Sequence, residues 1–533
     1  MTRTVLLSLI ILVQLYSKAQ PISPPAIHHK HYSLNTDKIR VQFVPNGDMG
    51  KIDTTHGDPS TSFSNYSWLL KDKSSDSNWV GLVEYGGLKL AGIDANGQEY
   101  RYDLKDWSKE KLYGQELTDG FAPLMPGIYE PIAQIDSQEF DRFNNYWKVS
   151  RQDIDRQRSL WQQYNTGSFG WIPSQYIQGG LLHWPSRGNP YTKDAYGDPF
   201  EYNMPFVNQD GDPDYIPNRG DYPEVPGEQN LLLLFNDVRN LPDTTIIHRI
   251  GLGGHVIAYT EQGGMDEEHT IFLEYTFKNH NTPLDTFMVT HALGTRFLPL
   301  SPVHFSEEYT SISALIKIDS LSTYGLSIVG LSSPTVTLPS GQQFNYDFNY
   351  VRRQRSILFV DRAPNPGNDY FFNNFMDYDQ GIALQSCDKR RIGGLELGSG
   401  VFPFPKDASI TFTLAISSIP LDNSKTCEEQ IVDLETHLSY LQDNYKKSGK
   451  RLTPLQTTNF LYPNPASDFL YFSGPVEPGT LSLHSLDGRV IQRWNIDESI
   501  QSIRLPQGLA TGLYLAEYRS VNGQFRTQKI LVQ

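Results

Sequence analysis

The chain has 533 residues, 12% of them aromatic, and a formal net charge of −15. Sixty acidic residues against 45 basic ones argue against nucleic acid or an anionic membrane surface as a partner, because both require a basic patch. Thirty Tyr, 27 Phe, 42 Gly and 34 Pro favour strands and turn-rich loops over helices, and the length allows about two to four domains of roughly 100–200 residues each.

Met1 to Ala19 carries an early charge (Arg3), an apolar run from Val5 to Val13, and the small-residue ending Ser17-Lys18-Ala19. This is the layout of a secretory signal peptide, and it is too short for a stable membrane span. Cleavage would begin the mature chain near Gln20, and loss of Arg3 and Lys18 would leave a charge of −17. No later stretch approaches about 18 consecutive apolar residues, so no transmembrane segment is expected.

Strands begin at Ile39, with Val41-Gln42-Phe43-Val44 and the turn Asn46-Gly47-Asp48. Trp79–Tyr85 and Gly87–Asp94 follow, then the Asn96-Gly97 turn and Tyr100-Arg101-Tyr102, a strand–turn–strand pattern. Residues 104–145 read as loop, and the segment from Tyr146 turns helical through Ile154-Asp155. Further strands are expected at Leu231–Phe235, His255–Thr260, Thr270–Phe277, Ser356–Val360 and Ala408–Ile416. The fold class is therefore mainly β, a multi-domain, β-sandwich-like body over 20–446, divisible near residue 240 into about 39–240 and 241–446. One helix stands out at 427–445, where Ile431, Leu434, Leu438, Leu441 and Tyr445 form a single apolar stripe. Cys387 and Cys427 are the two cysteines; in an oxidising compartment they either form one disulfide or stay unpaired.

The densest polar stretch runs from Phe206 to Pro223. Counted from Asp210, positions 1, 3, 5, 9 and 12 are Asp210, Asp212, Asp214, Asn218 and Asp221, with the Ile216 carbonyl at position 7. Oxygen donors at this spacing can converge on calcium, which takes six to eight of them. Three departures count against the ion, one being that Asp221 is shorter than the usual bidentate Glu. Tyr215 stands where a calcium loop has Gly, and Pro213 cannot reach positive φ. The competing reading is a turn-rich loop whose Asp and Asn side chains bond their own backbone. The aromatic residues Trp161, Tyr164, Phe169, Trp171 and Tyr176 either anchor these loops or form a platform for a glycan or protein ligand.

A polar linker over 447–459 leads to the last segment, 460–533. It opens Tyr462-Pro463-Asn464-Pro465, continues with Leu486-Asp487-Gly488-Arg489-Val490 and Gly512-Leu513-Tyr514-Leu515, and ends Lys529-Ile530-Leu531-Val532. Period-two alternation broken by Asp-Gly and Asn522-Gly523 marks a small antiparallel β module. In these four ordered motifs the segment resembles the type A C-terminal sorting domain of the type IX secretion system. The resemblance implies export through the periplasm, secretion or outer-surface display, and the type IX secretion machinery as partner. A second resemblance covers about 40–240. Gly87–Asp94, Trp184-Pro185, the Asp-rich loop into Gly220-Asp221-Tyr222-Pro223, and Phe235-Asn236-Asp237 are similar to a group of large Bacteroidetes secreted proteins with the same tail. A later Asp-rich segment of that group has no counterpart around 285–310.

No His-Glu-x-x-His, Gly-x-Ser-x-Gly, phosphate loop or dinucleotide fingerprint occurs, and no catalytic residue is assigned. His255, His269, His280 and His291 are spaced unlike metal ligands and read as strand-borne histidines. Two functions fit. One is a non-enzymatic exported protein with a binding, adhesive or structural role, stabilised by calcium. The other is a secreted hydrolase acting on polysaccharide through a carboxylate pair.

Overall fold

The computed structural model describes residues 32–43, 49, 67–71, 79–83, 85–102, 124–129, 145–165, 170–194, 196–237, 249–261, 267–294, 301–306, 309–317, 323–346, 348, 350–354, 387, 389–390, 394–399, 401–447, 461–462, 466, 469–472, 478–485, 490–497, 502–506, 508–520 and 525–532. The signal sequence, the strand expected at Ser356–Val360, the turns at Asn46–Asp48, Leu486–Arg489 and Asn522–Gln524, and nearly all of the linker lie outside them.

The protein is mainly β. An eleven-stranded antiparallel sheet forms its centre, in the order Lys389–Arg390, Ser301–Ser306, Ser311–Lys317, Thr323–Thr337, Ser409–Leu421, Thr270–Asn279, Leu252–Thr260, Gln229–Asn236, Met125–Pro126. Trp147–Ser150 also pairs with 229–236, and Gln343–Asn345 with 323–337. A six-stranded sheet runs Tyr350–Gln354, Gly394–Gly398, Leu284–Gly294, Tyr85–Ile93, Glu99–Tyr102, with Phe402–Phe404 joined to 284–294. A four-stranded sheet collects Tyr32–Asn35, Ile39–Phe43, Trp68–Lys71 and Trp79–Val83.

The central sheet is buried on both faces. Leu231, Leu233 and Phe235 enter one hydrophobic cluster, which also takes Leu88, Leu90, Val289 and Leu397 from the six-stranded sheet. Leu232 and Leu234 enter a second cluster on the opposite face. Burial on both sides is why this strand reads as an unbroken apolar run instead of alternating. The two strands that meet across residue 240 are adjacent, with Leu233 opposite Val256.

The second cluster is covered by two long helices. Cys427–Lys447 buries Ile431, Leu434, Leu438, Leu441 and Tyr445, the stripe expected from spacing. A reciprocal cap starts it: the Thr426 amide donates to Glu429 Oε2 (2.8 Å) and the Glu429 amide to Thr426 Oγ1 (3.3 Å). A disulfide joins its first residue, Cys427, to Cys387. The other helix, Arg151–Asn165, extends ten residues beyond the Asp155 reached by the sequence reading. It was faint because Ile154 is its only fully buried apolar side chain, with Trp161 and Tyr164 partly buried. Ser150 and Asp153 cap its start reciprocally, with Ser150 Oγ donating to Asp153 Oδ2 at 2.6 Å. The Asn96-Gly97 turn forms as expected, with Asp94 Oδ1 accepting the Asn96 and Gln98 amides at 2.9 Å and Gly97 at φ +79°.

The tail has two antiparallel sheets: Leu461–Tyr462, Phe469–Phe472, Ser502–Arg504, and Val490–Ile496, Gly479–Ser485, Gly512–Ser520, Phe525–Val532. Its hydrophobic cluster consists of tail residues alone among the described residues, including Leu470, Leu481, Leu483, Ile503 and Ile530.

Candidate functional site

The Asp-rich loop is closed at its base by a two-residue pairing, Phe206 opposite Pro223 and Val207 opposite Tyr222. Between them the acidic residues lie in series. Asn208 Oδ1 accepts the Gly211 amide (2.7 Å), and Gly211 takes the positive φ of +83° that the turn requires. Asp210 Oδ1 accepts the Asp212 amide (2.8 Å), and Asp212 Oδ1 the Asp214 amide (3.1 Å). The cation that these carboxylates share is Arg219, whose guanidinium lies 3.3 Å from Asp210 Oδ2 and 3.8 Å from Asp212 Oδ2. Arg187 pairs with Asp214 at 3.3 Å.

Asp221 is the clasp. It is fully buried, with Oδ1 accepting the Gln209 amide (2.7 Å) and Oδ2 the Ile216 amide (2.8 Å). Burial pushes its carboxyl up to about 6, the neighbouring charges of Asp210 and Asp212 push the same way, and the two amides oppose them. The Ile216 carbonyl accepts the Arg219 amide at 2.8 Å. Asn218, also fully buried, donates Nδ2 to the Ile172 carbonyl (2.7 Å) and to Ser174 Oγ (3.0 Å). Its Oδ1 is buried and has no hydrogen-bond partner. The donor types thus suit calcium, while the positions are already committed to amides and to Arg219. Among the described residues, no group of three or more His, Cys, Asp or Glu side chains is placed to hold a metal ion.

Neighbouring segments fix the loop from outside. Gly220 has φ +92°, and a Cβ there would stand 2.4 Å from the Trp161 indole, so the helix 151–165 packs directly on loop backbone. Gln157 on the same helix donates to the Pro217 carbonyl at 2.6 Å. Tyr215, at the position that a calcium loop gives to Gly, is instead a core residue, donating its hydroxyl to the Leu181 carbonyl at 2.8 Å.

The aromatic residues separate into two groups. Trp161 and Tyr164 are partly buried anchors, and Phe169 lies outside the described residues. Trp171 and Tyr176 are each 45% exposed. The backbone between them is pinned: the Ile172 amide donates to the Asn218 carbonyl (2.7 Å), and Ser174 Oγ is within 3.0 Å of both Asn218 Nδ2 and the Tyr191 hydroxyl. Sequence spacing did not reveal the roles of Arg187 and Gly220, whose partners Asp214 and Trp161 are remote in the chain, or of Arg219, which meets Asp210 and Asp212 only once the loop has turned back on itself.

The four histidines do not gather. His291 is buried in the core, His255 shares a hydrogen bond with the Tyr202 hydroxyl (2.9 Å), and His280 stacks on Tyr129 with centroids 4.2 Å apart. Two buried carboxylates elsewhere are also committed: Glu396 to Lys89 at 2.6 Å, and Asp237 to Tyr102 and three backbone amides.

Fold and tail together define an exported β-rich protein with a sorting module at its C-terminal end. Residues 460–533 match the family described as the secretion system C-terminal sorting domain. The tail is thus a type IX sorting domain, its partner is the type IX secretion machinery, and the protein is exported to the cell surface or beyond. No helix among the described residues is long and apolar enough to cross a membrane. No curated protein matches the chain. Among solved structures, a protein named as a kojibiose phosphorylase from human microbiome is 10% identical, covering 44% of this chain and 26% of its own, with a TM-score of 0.24. A polysaccharide lyase is 11% identical over 56% of this chain and 37% of its own, TM-score 0.17. The adhesin domain of Epf from Streptococcus pyogenes is 9% identical over 52% of this chain and 87% of its own, TM-score 0.12. This chain spans about a quarter and about a third of the length of the first two, and scores of this size establish no shared fold.

Proposed function

We propose that this protein acts outside the cell by binding, without catalysis, through the loop surface that carries Trp171 and Tyr176. One observation carries the reading: both rings are nearly half exposed on a segment whose backbone and Ser174 are hydrogen-bonded to buried Asn218. Rigid, amphipathic rings give contact area at low entropic cost, which suits a glycan or protein ligand. Residues 1–19 act as the cleaved signal peptide, and 460–533 as the second export signal.

The loop 206–223 serves this surface as a stiff support. Asp210, Asp212, Asp214, Asn218 and Asp221, with the Ile216 carbonyl, are the candidate calcium ligands. An ion there would displace Arg219 from Asp210 and Asp212 and offer a donor-starved group, Asn218 Oδ1, a cation. Thermal unfolding of the mature protein with calcium and with chelator tests this, since a ligand of the folded state alone must raise the midpoint. An unchanged midpoint removes the metal and leaves the loop closed by Arg219.

The binding reading is tested with Trp171→Ala/Tyr176→Ala. The wild-type protein is expected to sediment with at least one of cellulose, xylan or chitin, or with intact cells, and the double variant to lose most of that binding while its unfolding midpoint holds. A folded double variant that binds as the wild type overturns it. Release of reducing ends from the same polysaccharides would instead establish the hydrolase, the alternative reading. Asp221, the carboxyl raised to about 6, does not favour the hydrolase, because both its oxygens face loop amides and it is sealed from solvent.

A further inference from the structure

The sorting domain carries an aromatic face that its own fold leaves uncovered. On strand Phe469–Phe472, Leu470 and Phe472 point into the domain core while Phe469 and Tyr471 point out, 42% and 43% exposed. Alternation on a half-buried strand calls for polar residues at the outward positions, yet both are aromatic. Arg504 lies directly across from Phe469 in the neighbouring strand, its guanidinium carbon 5.7 Å from the ring centroid. Tyr471 faces Ser502 in the same register. Two aromatic rings and an arginine side by side are the residue types that dominate binding energy at protein interfaces.

Charge points the same way. The tail has six basic residues (Arg489, Arg493, Arg504, Arg519, Arg526, Lys529) and six acidic ones (Asp468, Asp487, Asp497, Glu477, Glu498, Glu517), so the net charge of −15 belongs entirely to residues 1–459. A neutral module on an acidic passenger is not captured through long-range attraction, and recognition must rest on contact surface. Four of the ten exposed large apolar side chains among the described residues lie in this tail: Phe469, Tyr471, Val490 and Ile491. Val490 and Ile491 are consecutive on an edge strand of the other sheet, at a register shift against Leu483 and His484. Phe469 and Tyr471 share one face.

We propose that the outer face of the sheet 461–462/469–472/502–504, centred on Phe469, Tyr471 and Arg504, is the surface by which the sorting domain docks on the type IX secretion machinery. The complementary surface is apolar with a carboxylate placed to meet Arg504. The inference rests on the assignment of 460–533 as the sorting domain.

The test is export of the full-length protein in a bacterium that has the type IX system, with cell-surface and medium fractions measured against the periplasm. Phe469→Ser/Tyr471→Ser is expected to cut the exported fraction at least tenfold and to accumulate in the periplasm, with the tail as protease-resistant as the wild type. Arg504→Glu, a surface change that leaves the core untouched, is expected to reduce export severalfold. Val490→Ser/Ile491→Ser is expected to export normally. Normal export of folded Phe469→Ser/Tyr471→Ser overturns the proposal. If that variant is protease-sensitive, Arg504→Glu decides: normal export overturns the proposal and reduced export supports it. Equal loss in folded Val490→Ser/Ile491→Ser also overturns the choice of face. Deletion of 460–533 is the separate control: export that survives it would refute the sorting assignment itself.

Discussion

The Tyr102 hydroxyl donates to Asp237 Oδ2 at 2.5 Å across 135 residues of sequence. The same carboxylate accepts the backbone amides of Ile250 (3.0 Å), Gly251 (2.9 Å) and Leu252 (2.5 Å). Asp237 follows the last residue of strand 229–236, so its side chain ties the end of that strand to the start of strand 252–260. Burial pushes the carboxyl up, and the Tyr102 and amide donors hold it back. Asp237→Ala would leave buried donors without an acceptor and is expected to cost about 3 kcal/mol or more in chemical denaturation. Asp237→Asn keeps one acceptor oxygen and should cost less. A loss in Asp237→Ala within about 0.5 kcal/mol would show that the amides find other partners.

Lys89 and Glu396 form a second long-range lock, an ion pair at 2.6 Å with side chains 5% and 2% exposed. They sit on the two strands that flank 284–294, opposite Thr290 and Ala292 respectively. Lys89→Met should destabilise by about 3–5 kcal/mol because it strands a buried carboxylate. Lys89→Met/Glu396→Leu should recover most of that loss. A double variant as unstable as the single one would contradict the explanation by an unpaired charge.

His291 gives a pH dependence with a definite sign. It is 1% exposed, neither ring nitrogen has a hydrogen-bond partner, and burial pushes its imidazole down to about 3 from 6.5. The unfolded chain therefore binds a proton below pH 6.5 that the folded chain refuses. The stability this group contributes is complete above pH 6.5 and is lost as pH falls toward 3, about 5 kcal/mol in all. Relief of the repulsion within a chain of charge −15 acts in the opposite sense, so the comparison must be with His291→Leu. The stability of that variant relative to wild type should rise as pH falls from 7 to about 4. A difference that stays flat with pH would refute the shift.

The bond between Cys387 and Cys427 fastens the helix 427–447 at its first turn to a residue 40 positions earlier. Cys387→Ser/Cys427→Ser should lower stability by about 3–4 kcal/mol in the chain-entropy view. Reduction of the wild type with dithiothreitol should reproduce it. An unchanged denaturation midpoint after verified reduction would show that helix packing alone holds this corner.

Local chemistry fixed much of this protein in advance. Alternation and Asp-Gly or Asn-Gly turns placed the tail strands, because side-chain period and turn geometry are properties of a few adjacent residues. The stripe Ile431, Leu434, Leu438, Leu441, Tyr445 marked its helix for the same reason, and the four tail motifs marked export. The helix 151–165 was faint because Ile154 is its only fully buried apolar side chain, and contacts such as Gln157 to Pro217 have no hydrophobic period. Tertiary structure alone decided what the acidic loop does at rest: one-dimensional spacing put five side chains and a carbonyl at calcium positions, but whether their oxygens converge depends on Arg219, Asp221 and the approach of Trp161 to Gly220. It also decided which aromatics are anchors and which face solvent, since exposure is set by what packs against a residue from elsewhere in the chain.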